Sequence, residues 1–428
     1  MTLKPENHFA KIIPDRIMRS VFTVGTAATI GQVLLMLYSF IIARWLGPEK
    51  YGVIVANFSI CAITSVLINF GLDTWLLRKD AKGEELKRVS GHVIAIKLLA
   101  GVLWGVLLWG FLPFLRPNIY FRSVLVFAIF TTIFDAATNV LYMVLYKDEN
   151  FKISAIIFIS DRVLRLLSAI ILILFNVVDI YIFISVRLVI DALFFLVAWF
   201  IVRPIMNLQA NNIRKKIMTD SMPYTASNVI TVVYHQADVN LVSLLTDDVS
   251  MISFFSVAIN LVNAIFSIIE TLQNVFIPTI SDLFEKRSKK LTKSILLSLA
   301  GFAIIGSIFW AGTSAFGEQF VNLAMGKAYL LSGVYLQRIS PIFLIRSLTV
   351  GVTIILISVN LQKSRITPQV ISTVVKIILG VMLFTALRIN GLLWAYILAE
   401  VTLLIGLLWV LMKWFHKTLD RENNSFQV

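Results

Sequence analysis

Twelve runs of apolar residues, each close to the roughly 20 residues that a helix needs to cross a bilayer, follow one another along the chain with short polar breaks between them. Read with a window of about 19 residues, they fall near 20–43, 52–77, 91–112, 119–145, 152–175, 178–202, 221–245, 250–277, 294–316, 333–360, 364–387 and 389–412. Backbone N–H and C=O groups find no partner in hydrocarbon, so each run must satisfy them internally as a helix. Composition agrees, since 58% of the 428 residues are hydrophobic and 14% charged, where soluble domains run at about 25% charged. A single water-soluble globule is excluded, and a dozen spans leave no stretch for a soluble domain. Prolines sit at run ends (Pro48, Pro113, Pro204, Pro223, Pro278, Pro368), where a missing donor costs least, and only Pro341 lies well inside a run. The lone Cys61 excludes an internal disulfide and a Cys-rich metal site, and nothing in the chain asks for a cofactor. Residues 1–19 carry Lys4, Glu6, Lys11, Asp15, Arg16 and Arg19 with no apolar stretch of signal-peptide length, so the expectation is no cleaved leader.

The net charge of +14 reports topology rather than a nucleic-acid partner, because Lys and Arg concentrate in alternate connections. Counting the N-terminal segment, 78–90, Lys147 with Lys152, 203–216, 286–293, Lys363 with Arg365, and the tail gives 25, against six on the other set: Arg44, Lys50, Arg116, Arg122, Lys327 and Arg388. Positively charged loops stay on the cytoplasmic side, so both termini are expected there. The expected domains are a cytoplasmic segment 1–19, a first lobe 20–203 (six spans), a cytoplasmic linker 204–220, a second lobe 221–412 (six spans) and a cytoplasmic tail 413–428. Six spans return the chain to its starting side, so related halves would be parallel repeats about an axis along the membrane normal. At residue level that repeat is faint: IIARWLGPEKYGVIVAN and LVSLLTDDVSMISFFSVAIN share only a polar break between two apolar runs.

The stretch Ala43, Arg44, Trp45, Leu46, Gly47, Pro48, Glu49, Lys50, Tyr51, Gly52, followed by Phe70, Gly71, Leu72, Asp73, Leu76, Leu77 and Arg78, resembles the first two spans of the Wzx-type polysaccharide-biosynthesis flippases. These are translocases of O-antigen and other lipid-linked oligosaccharides within the multidrug/oligosaccharidyl-lipid/polysaccharide (MOP) superfamily. The run from Asp238 through Ser256, Val257 and Ala258 to Gln273 and Pro278 resembles their seventh and eighth spans. The resemblance implies an all-α polytopic membrane protein with about twelve transmembrane helices in two six-helix lobes around a central cavity, in a bacterial cytoplasmic (inner) membrane. It implies a cargo of undecaprenyl-pyrophosphate-linked repeat units for lipopolysaccharide or a related surface polysaccharide, contact with membrane lipid, and partners such as a polysaccharide polymerase and a chain-length regulator. It also implies that the third, sixth, ninth and twelfth spans are peripheral. By residue chemistry alone, Gly47, Pro48 and Gly52 suit a tight turn, with Arg44 and Glu49 pairing across it.

Seven basic residues (Lys97, Arg162, Arg165, Arg187, Arg338, Arg346, Lys376) and seven acids (Asp73, Asp135, Asp161, Asp191, Asp238, Glu270, Glu400) lie within spans. Fourteen such groups facing lipid would cost on the order of 40 kcal/mol on insertion scales, so they must pair or line water. Arg187 with Asp191, and Asp161 with Arg165, are four apart on one helical face; the first is expected to be a structural pair, as are Lys97 and Glu400 to be packing charges in peripheral spans. The remaining cations, Arg162, Arg165, Arg338, Arg346 and Lys376, are expected to form a cationic chamber that binds substrate, because a diphosphate diester needs fixed charges in place of lost hydration. Asp73, Asp135, Asp238 and Glu270 are read as charge partners or as sites of ion coupling. Pro341, between Arg338 and Arg346, is the expected hinge.

A multidrug cation antiporter of the same superfamily, coupled to protons or sodium, is the alternative. It would want an acidic chamber, and 20–43 holds no Asp or Glu. A membrane enzyme is disfavoured because the longest external connection, about 317–332, is too short for a catalytic domain, and no G-x-x-x-x-G-K-[ST] loop is present.

Overall fold

The computed structural model describes residues 15–207, 211–271, 273–286 and 290–425. Most of the expected segment 1–19, part of the linker 204–220 and the end of the tail 413–428 lie outside the described residues. Among the described residues twelve helical segments follow in order: α1 (15–46), α2 (48–78, broken near 65 and 71), α3 (Gly83–Leu115), α4 (Arg122–Lys147), α5 (Phe151–Leu174), α6 (Ile180–Val202), α7 (Asn211–Leu245), α8 (Val249–Thr271 continued by Gln273–Glu285), α9 (Leu291–Met325), α10 (Leu330–Ile339 and Ile342–Ser358), α11 (Ile366–Leu387) and α12 (Ile389–Ser425). Eight described helices are long and apolar enough to cross a membrane, and the bent pair in α10 makes a ninth. The first of the eight is itself α1 and α2 joined at Gly47. α5 carries Asp161, Arg162 and Arg165 in its middle, and α7 is polar along much of its length.

Local chemistry accounts for the interruptions. Gly47 has φ +78 and ψ 168, a conformation open to glycine, and Pro48 follows as the first residue of α2, where its missing N–H is no loss. The break in α2, with Phe70 and Gly71 both left-handed at φ 37 and φ 65, is pinned from α3. The Lys97 ammonium donates to Asn69 Oδ1 at 2.9 Å, to Asp73 Oδ1 at 2.7 Å and to the Ala136 carbonyl at 3.0 Å. In α10 the two halves meet at an angle of 54° around Ser340 and Pro341.

α1 to α6 form one lobe and α7 to α12 the other. The helices expected at the periphery bear the lipid-facing surface: Leu103 and Leu107 on α3 are 68% and 72% exposed, and Leu297 on α9 is 71% exposed. Side chains of this kind are tolerable only against acyl chains. The chain is thus an all-α polytopic membrane protein of two six-helix lobes around a central cavity. We call the face bearing Gly47 and the α7–α8 connection the turn face, and the opposite one the basic face. The first turns of α7 lean on the first lobe near the basic face, with the Arg78 guanidinium 5.2 Å from the centre of the Tyr224 ring.

Lys97 is 1% exposed, and a buried ammonium stripped of its acid is costly. Lys97→Met is therefore expected to lower the thermal midpoint of the purified protein by several degrees. Adding Asp73→Asn is expected to recover part of the loss, as read by fluorescence-detected size exclusion after heating.

Candidate functional site

A cavity of about 660 Å³ lies between the lobes. α1 contributes Gln32 and Ser39, α2 Ser59 and Asn69, and α4 Thr131, Thr132, Asp135 and Asn139. The second lobe answers with Thr231, His235 and Gln236 on α7 and Ser256, Asn260 and Asn263 on α8. Spacings of four and three put those α8 residues on one helical face. Among the described lining residues only Asp135 and Arg187 carry full charge, so the described chamber is charge-balanced and rich in amides and hydroxyls. Its walls are completed by Tyr38, Tyr51, Phe58 and Phe183.

The expected cationic chamber is therefore not what the lobes enclose. Arg162 and Arg165 open into a separate pocket of about 170 Å³ inside the first lobe, shared with Asp135, Asp161 and Asp191. Arg165 is its hub: Nε meets Asp161 Oδ1 at 2.9 Å, and Nη2 meets Asp191 Oδ1 at 2.6 Å and Asp135 Oδ1 at 3.5 Å. Arg162 Nη1 lies 3.5 Å from Asp161 Oδ2, and its guanidinium stacks 5.0 Å from the Phe158 ring centre. Together with Arg187, three cations meet three carboxylates, as a low-dielectric interior requires.

The second lobe repeats this economy. Lys376 is 2% exposed; its Nζ lies 3.1 Å from Asp238 Oδ1, donates to the Tyr234 carbonyl at 3.0 Å, and sits 4.6 and 4.5 Å from the ring centres of Tyr234 and Tyr396. Arg346 donates to Asn263 Oδ1 at 2.9 Å and to the Tyr396 hydroxyl at 3.1 Å, and Nη2 lies 3.6 Å from Glu270 Oε1. The Tyr234 hydroxyl donates to Glu400. Arg346, Glu270, Glu400 and Arg365 line a polar pocket of about 110 Å³. Because Asn263 also lines the central cavity, Arg346 stands one residue behind it. Arg338 lies elsewhere, exposed near the turn face with its guanidinium on Asn390 Oδ1.

The acids divide in the same way. Asp73 is spent on Lys97 and Asp238 on Lys376, whereas Asp135 is 47% exposed and joins the central cavity to the first-lobe pocket. Glu270, 41% exposed, faces the second-lobe pocket.

Arg187 makes the ion pair that its spacing predicts and also reaches the central cavity. Its expected pairing with Asp191 is present but loose, at 3.9 Å from Nε, because Arg165 from the neighbouring helix has taken that carboxylate at 2.6 Å. The Arg187 guanidinium instead lies 4.2 Å from the Phe58 ring centre, on the cavity wall. Stacking leaves the N–H edge of a guanidinium free to bind an oxyanion.

The fold is shared with solved transporters. Over 91% of this chain and 87% of the other, at 14% identity, it superposes with a TM-score of 0.73 on the lipid II flippase MurJ in an inward closed conformation. An inward-facing multidrug resistance MATE family transporter of the MOP superfamily gives 0.71 over 89% of this chain and 94% of that one, at 14% identity. An outward-facing MATE transporter gives 0.58 over 92% and 95%, again at 14% identity. No curated protein sequence matches the chain. The model of the family described as polysaccharide biosynthesis protein matches residues 17–284, which is more than half of the 428 residues, and the chain belongs to that family.

Proposed function

We propose that the protein is a flippase that carries polyprenyl-diphosphate-linked oligosaccharide units, of O-antigen or a related surface polysaccharide, across a bacterial cytoplasmic membrane by alternating access. The observation that carries this reading is the chamber between the lobes, where amide and hydroxyl groups surround the Arg187 guanidinium, with Asp135 the one acid on the described lining. Sugars present dense hydroxyls and take hydrogen bonds from Asn, Gln, Ser and Thr. A diphosphate diester bears about two negative charges and gains from a bidentate guanidinium. A volume of about 660 Å³ is in the range of about 300–1,000 Å³ typical of small-ligand sites. It suits the diphosphate and the first sugars, while the lipid tail stays in the bilayer.

Both termini are assigned to the cytoplasmic side, and the domain divisions at 20–203 and 221–412 follow. The greater likeness to inward-facing than to outward-facing relatives supports a cavity reached from the cytoplasm. Inside-negative potential favours outward passage of an anionic headgroup by about 2.3 kcal/mol per charge per 100 mV, so a coupling ion is not required by energetics. Pro341 serves as the hinge within α10. A multidrug antiporter coupled to protons or sodium is the second reading, favoured by the likeness to MATE transporters and by the exposed Asp135.

A cell lacking the protein is expected to lose surface polysaccharide and to hold lipid-linked repeat units on the cytoplasmic leaflet, readable with a lectin or glycosidase applied to intact spheroplasts and to lysed ones. Normal surface glycan together with raised sensitivity to cationic drugs would favour the antiporter.

A further inference from the structure

On the turn face the two lobes touch through residues that play no part in the cavity. Arg44, near the end of α1, directs Nη1 at the carbonyls of Leu323 and Ala324, 3.4 Å from each. It does this in place of the expected pairing with Glu49. Arg116, in the α3–α4 connection, donates Nη2 to the carbonyls of Ser243 (3.4 Å), Leu244 and Thr246 (3.3 Å), and Nη1 lies 3.2 Å from Asp247 Oδ1. The acceptors are the closing turns of α9 and α7. The last carbonyls of a helix have no intrahelical partner and carry the negative end of its dipole. Both guanidiniums come from the first lobe, and both helix ends belong to the second.

A separate feature marks the same seam. A Cβ placed on Gly52 would fall 1.9 Å from the Val249 carbonyl oxygen, so the backbones of α2 and α8 are in direct contact there. Parting of the lobes at this face would break that approach. The Gly47 turn that presents Arg44 is itself braced, with the Trp45 indole donating to the Val177 carbonyl and Lys50 Nζ to the Val178 carbonyl at 3.0 Å.

We propose that Arg44 and Arg116 are a two-armed latch: each guanidinium caps a helix C-terminus of the opposite lobe, and together they hold the turn face closed until the lobes rock apart. The latch rests on the alternating-access reading but not on the identity of the cargo. Its acceptors are backbone carbonyls and one exposed carboxylate, groups that water satisfies once the arms let go. Each arm therefore biases the equilibrium modestly and reversibly, which a gate that must open in every cycle requires.

The test is a distance measurement across the seam in full-length protein in lipid nanodiscs. Spin labels go on Asn118→Cys and Ala328→Cys in a Cys61→Ser background, read by pulsed electron paramagnetic resonance without cargo. The parent is expected to give mainly one short distance. Arg44→Ala or Arg116→Ala alone is expected to raise the ratio of open to closed molecules about threefold, and the two together about tenfold, as two helix-end charges acting independently would. Gly52→Ala, which cannot fit the shut seam, provides the reference for an open distance. If Gly52→Ala produces that longer distance while the arginine variants keep the parent distribution, backbone packing closes the face and the latch is overturned. Distances unchanged in every one of these variants overturn it as well. Because no cargo is present, either result leaves the assignment of the cargo untouched, and a failure to move lipid-linked glycan would leave the latch standing.

Discussion

Replacing Lys376 with Met is expected to cost about 3 kcal/mol of stability or more, roughly a hundredfold in the ratio of folded to unfolded protein. The magnitude follows from what is left behind. Asp238 is 6% exposed and Lys376 is 2% exposed, and the ammonium contacts both carboxylate oxygens, at 3.1 and 3.2 Å. An ordinary interhelical hydrogen bond in a membrane averages only about 0.6 kcal/mol. The larger penalty comes from stranding a carboxylate with no counter-charge, and its removal is the check. Lys376→Met with Asp238→Asn is expected to recover most of the loss, measured as retained monodisperse protein after heating in detergent. If the double variant is as unstable as the single one, the pair is not what stabilises this part of the second lobe.

Arg187→Ala is expected to act in the opposite way, leaving the fold nearly intact and reducing transport about 10- to 100-fold at limiting cargo, the worth of one or two charge-assisted hydrogen bonds. Stability survives because Asp191 keeps Arg165 at 2.6 Å, and the acid left in excess, Asp135, is 47% exposed and can be hydrated from the cavity. Arg187→Lys is expected to recover only part of the rate, since an ammonium cannot grip two oxygens in one plane. Equal thermal midpoints with a collapsed rate identify a cargo contact. A collapsed midpoint would mean that Arg187 is part of the packing after all.

The membrane fold was legible because hydropathy alone imposes it. The run near 178–202 is the helix Ile180–Val202, and the run near 119–145 is Arg122–Lys147. Hydropathy did not reveal how far helices continue past the apolar layer: α9 runs on to Met325 and α12 to Ser425, because outside hydrocarbon a helix needs no apolar residues. The site was less legible, and Arg187 explains why. Its spacing to Asp191 was readable along one helix, but the competitor, Arg165, comes from another helix whose rotation only packing determines. The same limit produced the expectation of a cationic chamber: Asp135, Asp238 and Glu270 were readable as charge partners and Asp161 as four residues from Arg165, but not that these pairings would hold Arg162, Arg165, Arg346 and Lys376 off the central cavity. One available signal went unused: Ser256, Asn260 and Asn263 sit at helical spacing inside an apolar run, and amides aligned in mid-membrane imply a wet face.

The most direct measurement reconstitutes the full-length protein in vesicles with a fluorescent polyprenyl-diphosphate disaccharide and follows quenching of the headgroup from one side. Faster exchange between leaflets than in protein-free vesicles, falling toward the protein-free rate in Arg187→Ala, is the expected result. Exchange at the protein-free rate with the unmodified chain, or an Arg187→Ala variant as fast as the parent, would contradict a chamber built around that guanidinium.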